Sequence, residues 1–315
     1  MHEIDLFRHS AAIDPHLTIW GWEIPVYLFL GGLSAGVMIL TALLARGEPS
    51  ERSRALRWMP LAVPVLLSAG MLALFLDLAF KLHVLRFYLA FRPASPMSWG
   101  AWILVAVYPA ALLLAAAGLT AGEARALAGW RPLAVLRLGA PLERVAAWAR
   151  ARRGALSSLN LGLGVALGVY TGILLGALGA RAVWSSAVLG PLFLVSGFST
   201  AAAFLMLFPI GHADHARLRR WDVGAIGVEL ALIALYLLGL ATGGESARQA
   251  AQLFLGGGYT AAFWALVVIL GLLVPLALEA VEATRRLRPT LVTPALILAG
   301  GFALRWILVS AGQSM

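Results

Sequence analysis

The sequence predicts an all-α integral membrane protein of eight helices, and three observations carry that prediction. Hydrophobic residues make up 61% of the 315 residues and charged residues only 12%, about half the charge of an ordinary soluble domain. Mean hydropathy is +0.87, which excludes soluble domains and also disorder, since a disordered chain needs low hydrophobicity. Apolar runs of about 18 residues or more recur along the sequence, the length a helix needs to cross a ~30 Å hydrocarbon core.

Taken in order, the runs fall at roughly 22–45, 60–80, 99–118, 156–179, 187–209, 223–242, 255–278 and 291–311. Residues 1–19 have no apolar core of signal-peptide type, so the first run acts as its own insertion signal. They are read as an extracytoplasmic segment ahead of an eight-helix domain over 20–315. The first run carries Gly32 and Gly36, and the fourth carries Gly164, Gly168, Gly172 and Gly176. Small residues four apart let helix backbones approach closely in lipid. The second run has Pro60 and Pro64 near its start, and the seventh has Pro275 near its end. Gly32-Leu33-Ser34-Ala35-Gly36 in the first run is echoed by Gly197-Phe198-Ser199-Thr200-Ala201 in the fifth. The echo suggests two four-helix units in parallel orientation.

Charge orients the bundle. Loops 46–57, 119–155, 210–222 and 279–290 hold 17 of the 24 basic residues. Only Arg8, Lys81, Arg86, Arg92, Arg181, Arg248 and Arg305 of the 24 lie elsewhere. Cytoplasmic loops carry the excess of Lys and Arg, so both termini are expected outside. Arginine confined to short loops between apolar runs reads as topology, not as nucleic-acid binding. The 119–155 loop has amphipathic stretches around Trp130 and Trp148, expected to lie along the cytoplasmic headgroups.

Ionisable residues inside spans are costly and face a cavity or a partner. Glu23 and Tyr27 are four apart on the first span, and Gly31 and Ser34 continue that face. A flat ring could lie against the glycine. Tyr27 lies roughly 10 Å and Tyr170 roughly 13 Å from the outer ends of their spans, a similar level. Tyr170 points away from the glycine stripe of its own helix. Asp77 and Lys81 are four apart at the end of the second span, as an ion pair or as a proton-exchanging acid. Glu229 in the sixth span and Arg305 in the eighth are candidates for proton transfer, or else structural. The sequence has no cysteine, so thiolate metal sites and cysteine-ligated clusters are excluded. His2, His9, His16, His83, His212 and His215 all avoid mid-span positions, which disfavours a buried haem.

Four segments resemble the NrfD/PsrC family of membrane subunits of quinone-linked oxidoreductases. The run from Trp20 through Glu23, Tyr27 and Gly31 to Gly36 is similar to its opening signature, and Phe91 to Trp102 to its loop between helices 2 and 3. Tyr170-Thr171-Gly172 with Trp184 resembles its helix 4, and Leu304-Arg305 with Ala311-Gly312-Gln313 resembles its end. The resemblance implies eight helices, both termini outside, no haem, and a quinone site near the outer face. In the family a histidine and an asparagine of helix 1 and a tyrosine of helix 4 contact the quinone. These positions correspond to Tyr27, Ile24 and Tyr170 here. The first two differ, and Glu23 is adjacent to supply a polar group.

The resulting expectation is a membrane subunit that binds menaquinone or ubiquinone through Tyr27, Tyr170, Glu23 and Gly31. Asp77, Glu23, Glu229 and Arg305 would handle protons. No metal is expected in this protein. The resemblance implies an extracytoplasmic four-cluster iron–sulfur, ferredoxin-like partner, docked on the 81–98 loop through Arg86, Arg92, Ser95 and Ser98. A molybdopterin enzyme or multihaem cytochrome would lie beyond it. The alternative is a transporter or ion-conducting protein without redox partners, although no paired broken helices of transporter type are visible.

Overall fold

The computed structural model describes residues 20–45, 53–78, 81, 86–89, 91–92, 95–131, 137, 139–177, 181–285 and 290–314. Among them eight helices are long and apolar enough to cross a membrane: α1 (Glu23–Leu44), α2 (Arg54–Asp77), α3 (Pro96–Gly118), α4 (Arg153–Gly176), α5 (Leu189–Met206), α6 (His212–Thr242), α7 (Thr260–Glu282) and α8 (Val292–Gln313). The protein is a multi-pass, all-helical membrane protein. Within α2 a 3₁₀ turn, Met59–Leu61, forms around Pro60. In α7 the wider π-helix runs over Phe263–Leu273 before the α-helix Val274–Arg285 resumes.

α1 is the central helix, packed on α2, α4, α5 and α8. Its glycines permit this. A Cβ on Gly36 would land on the Gly197 carbonyl oxygen, and one on Gly197 would meet the Gly32 backbone. The two echoed motifs therefore meet each other, backbone to backbone, at the α1–α5 crossing. The α4 stripe is divided between two neighbours. Gly164 faces Ile39 and the Ala35 carbonyl on α1, Gly168 faces Leu194 and Ala35, and Gly172 faces Leu189 and Gly190 on α5. Gly271 and Gly300 bring α7 and α8 together in the same way.

Three elements differ from the sequence reading. α6 begins at His212, not 223, because its charged first turns lower hydropathy without lowering helix propensity. Its 31 residues span ~46 Å, more than a ~30 Å hydrocarbon core, so its basic first turns extend beyond it. The 279–290 loop likewise gives up Glu279 and Glu282 to helix. A short amphipathic helix, Glu245–Leu255, follows α6 and buries Ala250, Ala251 and Phe254. It ends at Gly256, whose φ of 155° suits only glycine.

At the arginine-rich end, helices Ala121–Ala128 and Gly139–Ala151 account for the amphipathic stretches expected there. Thr120 and Glu123 form a reciprocal capping box, and Arg57 Nη2 donates to Glu123 Oε1 at 2.7 Å. At the opposite end the first and last described segments clasp each other. Trp20 N donates to Gln313 Oε1 at 2.9 Å, and Gln313 Nε2 to the Trp20 carbonyl at 3.0 Å. Trp184 lies 5.1 Å from the Trp20 ring and donates to the Leu308 carbonyl at 2.9 Å.

Candidate functional site

Tyr27 and Tyr170 come together on one apolar cavity near the end where Trp20 and Gln313 meet. Its other walls are Met71, Leu74, Phe75 and Leu78 of the α2 segment, Met97, Gly100, Ala101 and Leu104 of α3, and Tyr88 of the short helix Arg86–Leu89. The cavity measures about 100 Å³. Tyr27 is 3% and Tyr170 6% exposed. Two glycines make the geometry possible: a Cβ on Gly100 would overlap the Tyr170 ring, and Gly70 lets α2 approach the Tyr27 backbone. Tyr170 also walls a second, lipid-facing groove of about 560 Å³ with Pro96, Trp99, Ile103, Val165, Ala166, Val169 and Ile173. The phenol thus stands between an inner chamber and the bilayer.

The hydroxyls distinguish this pair. The buried Tyr236 donates to the Val183 carbonyl at 2.7 Å, and Tyr108 pairs with Ser68 at 3.0 Å. Neither Tyr27 nor Tyr170 has a hydrogen-bond partner among the described residues. Two such hydroxyls on one apolar cavity are suited to a ligand carrying polar oxygens on a flat apolar body.

Other expected residues fall differently. Gly31 is not among the residues lining the cavity; the Thr171 methyl sits 3.3 Å from where a Cβ on the glycine would stand. Glu23 and Asp77 lie within electrostatic reach of each other, neither lines the cavity, and no Asp77–Lys81 ion pair forms among the described residues. Ser98 is buried, and its Oγ accepts from Arg92 N at 3.0 Å. The bond ties the Arg92 backbone to the start of α3. Arg92 is exposed and Ser95 half-buried at the start of α3. The Arg86 side chain lies outside the described residues.

Arg305 is fully buried. It does not reach toward an interface. Nη1 donates to Ser196 Oγ and to the Gly301 carbonyl, both at 2.7 Å, and Nη2 to the Phe193 carbonyl at 3.2 Å. The guanidinium carbon stands 5.2 Å from the Phe193 ring and 6.0 Å from that of Phe29. Gly32 leaves its space, since a Cβ there would be 3.0 Å from Nη2. Buried Glu229 interacts with the same Ser196 and with Arg305.

Sequence reasoning missed the continuation of this network. One turn along α5, Ser199 Oγ donates to Asp222 Oδ1 at 2.6 Å. Asp222 in turn contacts Glu279, and Glu282 accepts from Thr290 N and Oγ1 at 3.2 and 3.0 Å. Asp222, Glu279 and Glu282 are all buried. The seven-residue spacing of Asp222 and Glu229, two helical turns on one face, is the available signal. It stays hidden because the apolar runs leave 222 and 279 in loops. Among the described residues no group of three or more His, Asp or Glu is placed to hold a metal ion.

Fold and cavity define a polytopic helical membrane protein with a phenol-walled chamber in its first four spans. The protein belongs to the polysulphide reductase NrfD family, whose model matches residues 11–315. It is 32% identical to protein NrfD of Escherichia coli (strain K12), over 96% of this sequence and 98% of that one. It is 29% identical to the C-chain of polysulfide reductase from Wolinella succinogenes, again over 96% and 98%. A protein NrfD homolog of Haemophilus influenzae is 28% identical over 94% of each sequence.

Proposed function

We propose that this protein is the quinone-reactive membrane subunit of a respiratory oxidoreductase complex, and that Tyr27 and Tyr170 bind the quinone headgroup. The observation that carries this is the pair of buried tyrosines lining one apolar cavity, whose hydroxyls have no hydrogen-bond partner among the described residues. The donor set fits, since each hydroxyl can donate to one ring oxygen while Leu74, Leu104 and Ala101 exclude water. Met71 and Met97 line a chamber narrow for a ring, and their unbranched side chains can move aside at little cost. The lipid-facing groove beside Tyr170 supports lateral entry from the bilayer. A bound quinol supplies two electrons and two protons. Glu23 and Asp77 stand at the outer side to exchange protons with water, the role a carboxyl in a partly apolar site suits.

The electrons pass to a partner. A relative named as one chain of polysulfide reductase supports a multi-subunit setting, and the family resemblance supports an extracytoplasmic iron–sulfur subunit, with a molybdopterin or multihaem protein beyond. Exposed Arg92 and half-buried Ser95, at the phenol end of the bundle, are the described docking positions. From the opposite end, the line Glu282, Glu279, Asp222, Ser199, Ser196, Glu229 and Arg305 is a proton path into the bundle. Arg305 stops beside Phe29, two residues along α1 from Tyr27.

Tyr27→Phe and Tyr170→Phe test the site. Each removes one hydrogen bond, a loss of about 1 kcal/mol or more, and the expected result is roughly five- to tenfold lower quinol-dependent turnover of the complex with unchanged assembly. Wild-type rates in both would refute the assignment. For the path, Glu229→Gln is expected to lower proton uptake per turnover in proteoliposomes while leaving quinol oxidation within about twofold, because one hydrogen-bonding carboxyl is replaced in place. An unaltered proton ratio would leave Glu229 a structural partner of Arg305.

A further inference from the structure

The elbow where helix Gly139–Ala151 turns into α4 opens a polar groove of about 530 Å³ that shares no lining residue with the phenol chamber or the acid line. Ala42, Leu43 and Ala45 at the end of α1 form one side, and Arg150, Arg153, Gly154, Ser157 and Ser158 the other. Two arginines therefore line one cavity, and none of the described residues lining it is acidic. Arg150 is steadied there by a bond from Nη1 to the Leu119 carbonyl at 3.1 Å. α4 starts at the groove with no side-chain cap, so its first N–H groups and the positive end of its dipole add to the field. An independent sign of a missing acceptor is Ser157. It is 8% exposed, lines the groove, and its hydroxyl has no partner.

The surroundings identify the anion's source. The elbow lies at the arginine-rich end of the first and fourth spans, where the bilayer headgroups would stand. Below it the outer face of α4 is apolar and open, with Leu159 48% and Val165 40% exposed. Trp148, with the Arg152 guanidinium 4.8 Å from its ring, lies on the same elbow, the place an interfacial tryptophan takes. We propose that this groove binds the phosphate of an anionic phospholipid, with the acyl chains lying along α4. The lipid would join α1, α4 and the amphipathic helix at one point. This does not rest on the quinone reading.

Native mass spectrometry of the purified protein with equal dioleoyl-phosphatidylglycerol and dioleoyl-phosphatidylcholine tests it. Each arginine near a bilayer surface favours anionic lipid by roughly fivefold, so retention of the phosphatidylglycerol by about tenfold or more is expected. Arg150→Gln with Arg153→Gln should abolish the preference. Gly154→Leu keeps both charges and fills open space, since a Cβ there meets nothing within 4 Å. It should also release the lipid, while the exposed Arg144→Gln should not. Equal retention of the two lipids by the wild type, or an undiminished preference in both groove variants, overturns the proposal. So does complete displacement by millimolar inorganic phosphate, which would assign the groove to a soluble anion.

Discussion

Glu123 collects several donors at one carboxylate: Arg57 Nη2 at 2.7 Å, Thr120 N at 2.9 Å and Thr120 Oγ1 at 3.0 Å. Burial raises its pKa, but the bonds from Arg57 and Thr120 outweigh that and hold it at about 2, below the ordinary 4.5. A carboxyl depressed in the folded state stabilises the fold above its unfolded pKa and stops doing so as pH falls through the folded value. Glu123→Gln keeps an acceptor for the capping box and removes only the charge paired with Arg57, so it should lower thermal stability at neutral pH by about 1 kcal/mol or more. The gap to wild type should close between about pH 4.5 and 2. Thermal melts of both proteins across that range check it; a gap independent of pH would show that the ion pair contributes nothing. Single residues were unevenly legible in the sequence. Tyr27 and Tyr170 could be placed at one depth by counting residues, because helical rise is fixed. The capping box was also present as Thr120 and Glu123, three apart before an alanine run. Whether a hydroxyl is satisfied depends on neighbours far away in sequence, so Tyr236, closed by Val183, could not be told from Tyr170.

Among elements, α1 shows why small residues recur at fixed spacing. Its contact with α5 is backbone on backbone at Gly36 and Gly197, so bulk at the crossing must push two central helices apart. Gly36→Leu is expected to cost about 3 kcal/mol or more and to reduce the yield of folded protein. Gly162→Leu on α4, where a Cβ meets nothing within 4 Å, should melt like the wild type. Equal melting of both variants would remove the crossing from its central role. The glycine spacing in α1 and α4 was readable because lipid supplies no hydrophobic drive between helices and close approach must come from size. The beginning of α6 was not, since hydropathy measures partition into lipid and its first turns stand outside. That one boundary concealed Asp222.

For the whole molecule, the distribution of arginine predicts both ends outside the cytoplasm, and the Trp20–Gln313 bonds require only that they share a side. A protease-cleavable tag after Met315 should be cut by enzyme added to intact spheroplasts. Cutting only after the cytoplasmic face is opened would invert the bundle and move the phenol chamber to the other leaflet. Eight spans were legible from composition because the bilayer imposes one length on every crossing. Partner choice was not, because it depends on surfaces, such as the exposed Phe91, Trp99 and Trp102 cluster, whose residue types suit a membrane boundary and a docked subunit equally.

The clasp between Trp20 and Gln313 also constrains biosynthesis. The central helix is made before its neighbours α5 and α8, and the hydrogen bonds at its start wait for Gln313 at the end of α8. Until then this glycine-rich segment must stay in the translocon or among lipids without its permanent companions. A stalled or truncated product would present that unmatched helix to the quality-control proteases of the membrane, which gives them a means of recognising an unfinished copy.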